Sequence, residues 1–394
     1  VGGGRGADDR QRERAVKIGG ISIAVPQIGV TRWKRFRATL DWPLMLAMLA
    51  LCAIALLNLY SATKGTRNEY RFDAQLKFMA AGAVGFVVLT LIDYRSLVRL
   101  AWLALLGTIV LLVSVQLLGD TAIAKGSARW FNVGAFRVQP SEPAKLAVIL
   151  CLARMFQDAE TIRMGTRELV LRIAALCIPV GLIALQPDLG TASLCTLIGF
   201  SVGFLALRNV WPMVWATIIG LLAIPILWES MHTYQKNRVL AFIDPSADPT
   251  GTGYHTRQSI LAVGSGKFWG KGYGEGTQST FSFLPEHLTD FPFSVWAEEW
   301  GFAGCLVAIL LYGFLVIWLL NLASTARDRA GQVICLGAAA MTFWHVFVNI
   351  GMVLGMAPVV GVTLPFVSYG GSSILTFFLV MGVVSSVSLR RHGY

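Results

Sequence analysis

The chain is 394 residues long, 55% hydrophobic and only 14% charged, whereas a soluble globular domain carries about 25% charged residues. That balance excludes an ordinary soluble enzyme. The net charge of +11 does not argue for nucleic acid, because the basic residues crowd the ends of apolar runs, where lipid headgroups lie.

Residues 1–40 are polar, glycine-flanked and basic, and nothing in them suggests a fold. They are expected to form a mobile cytoplasmic tail on anionic lipid. Trp33, Phe36 and Trp42 bracket the entry to the first apolar run, as interfacial aromatics do. That run begins after forty residues and is long enough to span, so no cleavable signal peptide is expected.

About ten runs are long enough to cross roughly 30 Å of hydrocarbon as helix. They cover 42–60, 74–92, 97–118, 143–157, 169–186, 189–207, 209–228, 293–320, 331–357 and 368–389. They are unbroken rather than alternating, which implies helices and not barrel strands. The reading is an all-α polytopic membrane protein, with residues 41–394 as a single transmembrane domain. With the N-terminus inside, twenty Lys or Arg fall in inner segments, from Arg5 through Arg391, against eight in the short outer loops. Both termini are therefore expected in the cytoplasm. All six cysteines lie in apolar runs without a CxxC pair, as packed thiols do.

Three short stretches carry polar groups into this apolar background. In PSEPAKLA (residues 140–147), Ser141 is placed to cap a helix with Pro143 in its first turn. Glu142 and Lys145 then project from nearly the same face, either as a local ion pair or as part of a site. QPDLGTA (186–192) sets Asp188 at the outer ends of two spans, where it is a functional carboxylate, an ion-pair partner or the cap of the next helix. GMAPVVGVTLPFVSYGGSS (355–373) is uncharged and too apolar for a solvated loop. A re-entrant segment fits it, with Ser368, Tyr369, Ser372 and Ser373 as hydrogen-bond donors, and so does close packing by small residues.

The longest polar segment runs from about Glu229 to Pro292, between the seventh and eighth spans, and faces outward. It holds eight glycines between Gly251 and Gly276, and aromatic residues such as Tyr254, Phe268, Trp269 and Tyr273 give it something to bury. An ordered lid or site is expected. GKGYGEG (270–276) follows no buried strand and so is no nucleotide loop.

PSEPAKLA, QPDLGTA, GYHTRQSILAVGSG, GTQSTFSFLPEHLTDF and FVSYGGSS, in this order among ten spans, resemble the SEDS proteins of shape, elongation, division and sporulation. The likeness runs from about Leu40 to the end, and GTQS followed by FLPE is closer to the elongation members than to the division members. Two positions depart from the usual pattern: Leu288 stands where His commonly precedes Thr289 and Asp290, with His287 one place earlier, and Pro292 replaces an aliphatic residue.

The resemblance implies a peptidoglycan glycosyltransferase. Such an enzyme polymerises lipid II into undecaprenyl-linked glycan at the outer face of the inner membrane. Its implied partners are a class B penicillin-binding protein of the PBP2 kind and other elongation-complex proteins, with no nucleic acid. By position, Asp290 corresponds to the essential loop carboxylate, Glu142 and Lys145 to the membrane-edge pair, and Asp188 to the QPDLG acid. Asp290 is the expected general base with Lys145 as its partner; Asp188 is the next candidate and Glu286 the one after. Arg129, Arg238, Arg257 and Gln258, with Ser368 and Tyr369, are the candidate substrate contacts. A divalent cation, Mg2+ or Mn2+, is left open. The rival readings are a lipid II flippase, a division-type glycosyltransferase and a scaffold for a partner enzyme.

Overall fold

A computed structural model describes residues 15–18, 21–24, 41–66, 68–118, 129–133, 136–157, 166–206, 211–244, 252–277 and 288–391. Glu286, His287 and most of the tail lie outside them. The chain divides into two compact units, 1–40 and 41–394. Within the first, β1 (Ala15–Ile18) and β2 (Ile21–Ala24) pair antiparallel, Ala15 opposite Ala24 and Ile18 opposite Ile21. The sequence reading had no fold there, and a lone two-stranded hairpin is marginally stable in water.

The second unit is helical. Its elements are α1 (Trp42–Thr63), α2 (Tyr70–Leu91), the short α3 (Tyr94–Arg99), α4 (Ala101–Leu118), the hairpin β3 (Phe131–Val133) with β4 (Phe136–Val138), and α5 (Ser141–Phe156). They continue with α6 (Thr166–Leu185), α7 (Leu189–Ala206), α8 (Trp211–Ser230), α9 (Thr233–Ile243), α10 (Thr252–Ser265), α11 (Pro292–Ser324), α12 (Arg329–Val353) and α13 (Gly371–Arg390). Seven of these are long and apolar enough to cross a membrane: α1, α2, α4, α7, α11, α12 and α13. The other three expected spans coincide with α5, α6 and α8. The described residues of the long polar segment form α9, α10 and a run of turns to Thr277.

Polar side chains gather at two ends of this bundle. At one end Asp41 caps α1 by accepting from the Leu44 amide at 3.2 Å, and takes the Trp318 indole and the Ser388 hydroxyl, each at 2.7 Å. The first and last spans therefore begin and finish on the same side. Also at this end Asp328 caps α12 through the Gly331 amide and binds the Tyr94 hydroxyl at 2.8 Å and Arg95 Nε at 2.9 Å. Burial alone would raise the Asp328 carboxyl, but the Gly331 amide, the Tyr94 hydroxyl and the Arg95 guanidinium together hold it below its ordinary value.

α11 is not one continuous helix. Gly301 breaks it at φ 62°, ψ −160°. The Phe302 and Ala303 amides, released from Glu298 and Glu299, donate instead to the carbonyls of Lys267 and Phe268 at 2.9 and 3.0 Å. The freed carbonyls of Glu298 and Glu299 take the amides of Lys271 and Gly272 at 2.9 and 3.1 Å. This exchange re-pairs all four of these backbone groups, as a broken helix at membrane depth requires. Only glycine fits, since a Cβ on Gly301 would lie 2.3 Å from the Gly270 nitrogen. The Lys271 ammonium then meets the buried Glu298 carboxylate at 2.5 Å, which ties the outer segment to α11.

Five of the cysteines are buried thiols as expected, while Cys177 is exposed on α6.

Candidate active site

The second polar end is built where the starts of α5, α7, α11 and α13 meet the irregular segment 354–370. That segment is non-helical, so its carbonyls need outside donors, and intramembrane side chains supply them. Asn349 Nδ2 reaches the Val362 carbonyl at 2.7 Å, His345 Nδ1 the Thr363 carbonyl at 2.9 Å, the Tyr312 hydroxyl the Pro365 carbonyl at 2.6 Å, and Gln75 Nε2 the Ser368 carbonyl at 3.2 Å. The stretch is irregular, with these carbonyls paired to side chains of neighbouring helices, and it is also packed closely at Gly190 and Gly371.

The expected cap at Ser141 is not made. Pro140 occupies the N-cap of α5 without a side-chain bond, and the Ser141 hydroxyl donates to Asp188 Oδ2 at 3.3 Å. Glu142 and Lys145, one turn apart, do pair: Nζ lies 2.9 Å from Oε1. Both are buried, Lys145 completely. The ammonium spends a second bond on His345 Nε2 at 3.1 Å, while Glu142 Oε2 has no hydrogen-bond partner among the described residues.

Asp188 caps α7. Its Oδ1 accepts from the Thr191 amide at 3.3 Å, and Oδ2 takes Gln139 Nε2 at 3.0 Å together with Ser141. The turn packs directly on the irregular segment, because a Cβ on Gly190 would come within 2.5 Å of the Val360 carbonyl. Asp188 thus joins the α6–α7 turn to the start of α5.

Asp290 sits in the turn before α11. Asn349 Nδ2 donates to its backbone carbonyl at 2.9 Å, and the Tyr369 amide donates to the carbonyl of Leu288 at 2.8 Å. The carboxylate lies beside Gly361, where an added Cβ would stand 3.5 Å from Oδ2. Unlike Glu142, Lys145 and Asp188, Asp290 is only partly buried. The direct Lys145–Asp290 contact expected from the sequence is not made. The ammonium is held by Glu142 and His345, and Asp290 is reached one turn further along α12, through Asn349.

His345 and Asn349 are the residues the sequence reading missed. Their signal was present: two polar groups four apart in an otherwise apolar helix share one face and need partners.

Of the candidate substrate contacts, Arg129 and Arg238 line one pocket with Asp188, Gly190, Tyr234 and Val360. Arg129 grips the QPD turn, Nε to the Gln186 carbonyl at 2.8 Å and Nη2 to the Pro187 carbonyl at 2.6 Å and the Tyr234 hydroxyl at 3.0 Å. Its Nη1 makes no hydrogen bond among the described residues. Arg238 lies over the Tyr234 ring, 5.9 Å from its centroid. Arg257 and Gln258 on α10 are not brought to this pocket. Ser368 turns inward, its hydroxyl accepting from the Leu364 amide at 2.7 Å, and Tyr369 carries the Arg71 guanidinium over its ring at 5.5 Å.

No group of three or more His, Cys, Asp or Glu among the described residues could hold a metal ion. These donors therefore fit a divalent cation only where substrate phosphates complete its shell, as Mg2+ sites with one or two carboxylates do.

Residues 39–393 match the cell cycle protein family of FtsW, RodA and SpoVE. The peptidoglycan glycosyltransferase MrdB of Escherichia coli K12 is 40% identical over 354 residues, covering 89% of this chain and 94% of that protein. A chain from a solved peptidoglycan synthase complex, studied for its coordination of polymerization and crosslinking, superposes with a TM-score of 0.76 at 32% identity, over 90% of this chain and 98% of that one. The crystal structure of the rod shape determining protein RodA of Thermus thermophilus superposes with a TM-score of 0.67 at 29% identity, over 90% and 98%.

Proposed function

Because the chain belongs to the FtsW, RodA and SpoVE family and is a multi-pass membrane peptidoglycan glycosyltransferase, we propose that it polymerises lipid II during cell elongation with Asp290 as the general base. One observation supports the assignment of the base: of the three carboxylates named here, Asp290 alone is partly exposed, while Glu142 and Asp188 are buried. A base must come within hydrogen-bond distance of the proton it removes.

In the reaction a sugar hydroxyl forms a bond to the anomeric carbon of a second lipid-linked sugar, with inversion, and the bond to the lipid diphosphate breaks. The hydroxyl proton passes to Asp290. Asn349 and the Tyr369 amide hold the Asp290 turn in place, and positioning of this kind supplies much of the rate. The leaving diphosphate carries its charge away as an anion, so it needs matched cations rather than an acid. Arg129 and Arg238 line one pocket and fit that task. Glu142, Lys145 and Asp188 set the field around it. Asp290 is the carboxylate that would hold a divalent cation here, and such an ion would supply further positive charge for the diphosphate.

The site is read as facing outward with both termini in the cytoplasm, which the positive-inside count and the shared end of α1 and α13 support. The likeness to a synthase complex that couples polymerization to crosslinking supports a class B penicillin-binding protein as partner. The test is polymerisation of labelled lipid II by the purified protein with that partner. A flippase instead would deliver lipid II outward unchanged whether or not residue 290 were acidic.

A further inference from the structure

Lys145 has two hydrogen-bond partners, and they are not equivalent. Glu142 lies three residues away on the same helix, so that bond fixes the ammonium only relative to α5. His345 reaches it from α12 at 3.1 Å, and α12 also carries Asn349, whose amide holds the Asp290 turn one helical step later. His345 is the bond that refers Lys145 to Asp290.

The ring has little freedom. It is 1% exposed, and Phe377 meets it edge to face at 5.0 Å between centroids. A carbonyl only accepts, so the 2.9 Å contact with the Thr363 carbonyl places the ring proton on Nδ1. Nε2 is left as an acceptor aimed at the ammonium. The lysine stem has many rotamers to lose, so its head needs such a bond to remain in register with another helix.

We propose that His345 is a positioning residue for glycosyl transfer, a neutral imidazole protonated at Nδ1 that sets the Lys145 ammonium relative to Asp290. The inference rests on the reading that Lys145 and Asp290 serve the reaction.

The test compares His345→Met, which has no strong acceptor, with His345→Gln, whose amide can accept from Lys145 and donate to Thr363. Both are assayed with lipid II in complex with the partner transpeptidase. The expected result is a fall in kcat of about 10- to 100-fold for His345→Met with KM nearly unchanged, and recovery of most of that loss in His345→Gln. Wild-type kcat in His345→Met, or equal damage in a folded His345→Gln, overturns it. Should His345→Met fail to fold, nitrogen NMR of the wild-type protein labelled in histidine decides. A neutral ring protonated at Nδ1, absent from His345→Gln, is expected; a ring protonated at Nε2 overturns the proposal. If Lys145→Ala and Asp290→Asn both polymerise normally, the functional reading fails, whereas if they are dead and His345→Met is normal, only the positioning role does.

Discussion

Replacing Lys145 with Ala removes the sole cation bonded to a carboxylate that has nowhere else to turn. Among the described residues Glu142 takes its one side-chain hydrogen bond from Lys145, and its Oε2 already has none. Both side chains are buried, so water cannot replace the lost partner without opening the packing. Breaking a buried pair from one side costs about 3–5 kcal/mol, and His345 Nε2 loses its donor in the same step. At about 1.4 kcal/mol per factor of ten, the folded-to-unfolded ratio should fall by roughly a hundredfold or more. Removing both charges, with Lys145→Met and Glu142→Gln together, should return most of that stability, because the penalty is the orphaned charge and not the missing bond. Denaturation in detergent, followed by intrinsic fluorescence, reads wild type and both variants on one scale. A Lys145→Ala protein within about 1 kcal/mol of wild type, or a double variant no more stable than Lys145→Ala, would refute the argument that the pair is a desolvated unit.

Gly301→Ala should cost at least the 1–3 kcal/mol of a residue forced into a sparse backbone region, since its Cβ meets the Gly270 backbone, while Gly313→Ala, with nothing within 4 Å, should be silent; folded yield after detergent extraction separates the two. Asp328 titrates below its ordinary value in the fold, so its contribution is present above the unfolded carboxylate pKa and is lost as pH falls through the lower folded value. Asp328→Asn should therefore melt below wild type at pH 7 by less than about 1 kcal/mol, the side chain being partly exposed, and the gap should close in strong acid; a gap that widens there reverses the sign. Arg129→Lys keeps the charge but not the fork that grips two carbonyls, so its melting temperature should fall together with lipid II affinity; loss of affinity alone would assign Arg129 to substrate and not to the turn.

The spans were legible because apolar runs of membrane length have few alternatives, and Glu142 with Lys145 because a three-residue spacing on a helix leaves no other geometry. The partner of Lys145 was not. Choosing between Asp290 and His345 depends on how α5, α12 and the segment before α13 pack, and their separation in sequence carries no distance. The cap at the start of α5 failed for a related reason. Ser141 had the local signature, yet Asp188, forty-seven residues later, offered its hydroxyl a charged acceptor. The exchange at Gly301 was hidden because a glycine inside an apolar run reads as a weak helix position until another backbone is seen to take its freed groups.

The most direct test of the central claim is glycan synthesis from lipid II by Asp290→Asn in complex with the partner transpeptidase. The substitution keeps the shape of the side chain and the backbone bond to Asn349 while removing both charge and basicity. The account predicts a protein that inserts, binds its partner and binds lipid II, and whose polymerisation rate falls by about a hundredfold to ten-thousandfold. Retention of more than about a tenth of the wild-type rate, well above that loss, would contradict it and move the base elsewhere in the cluster.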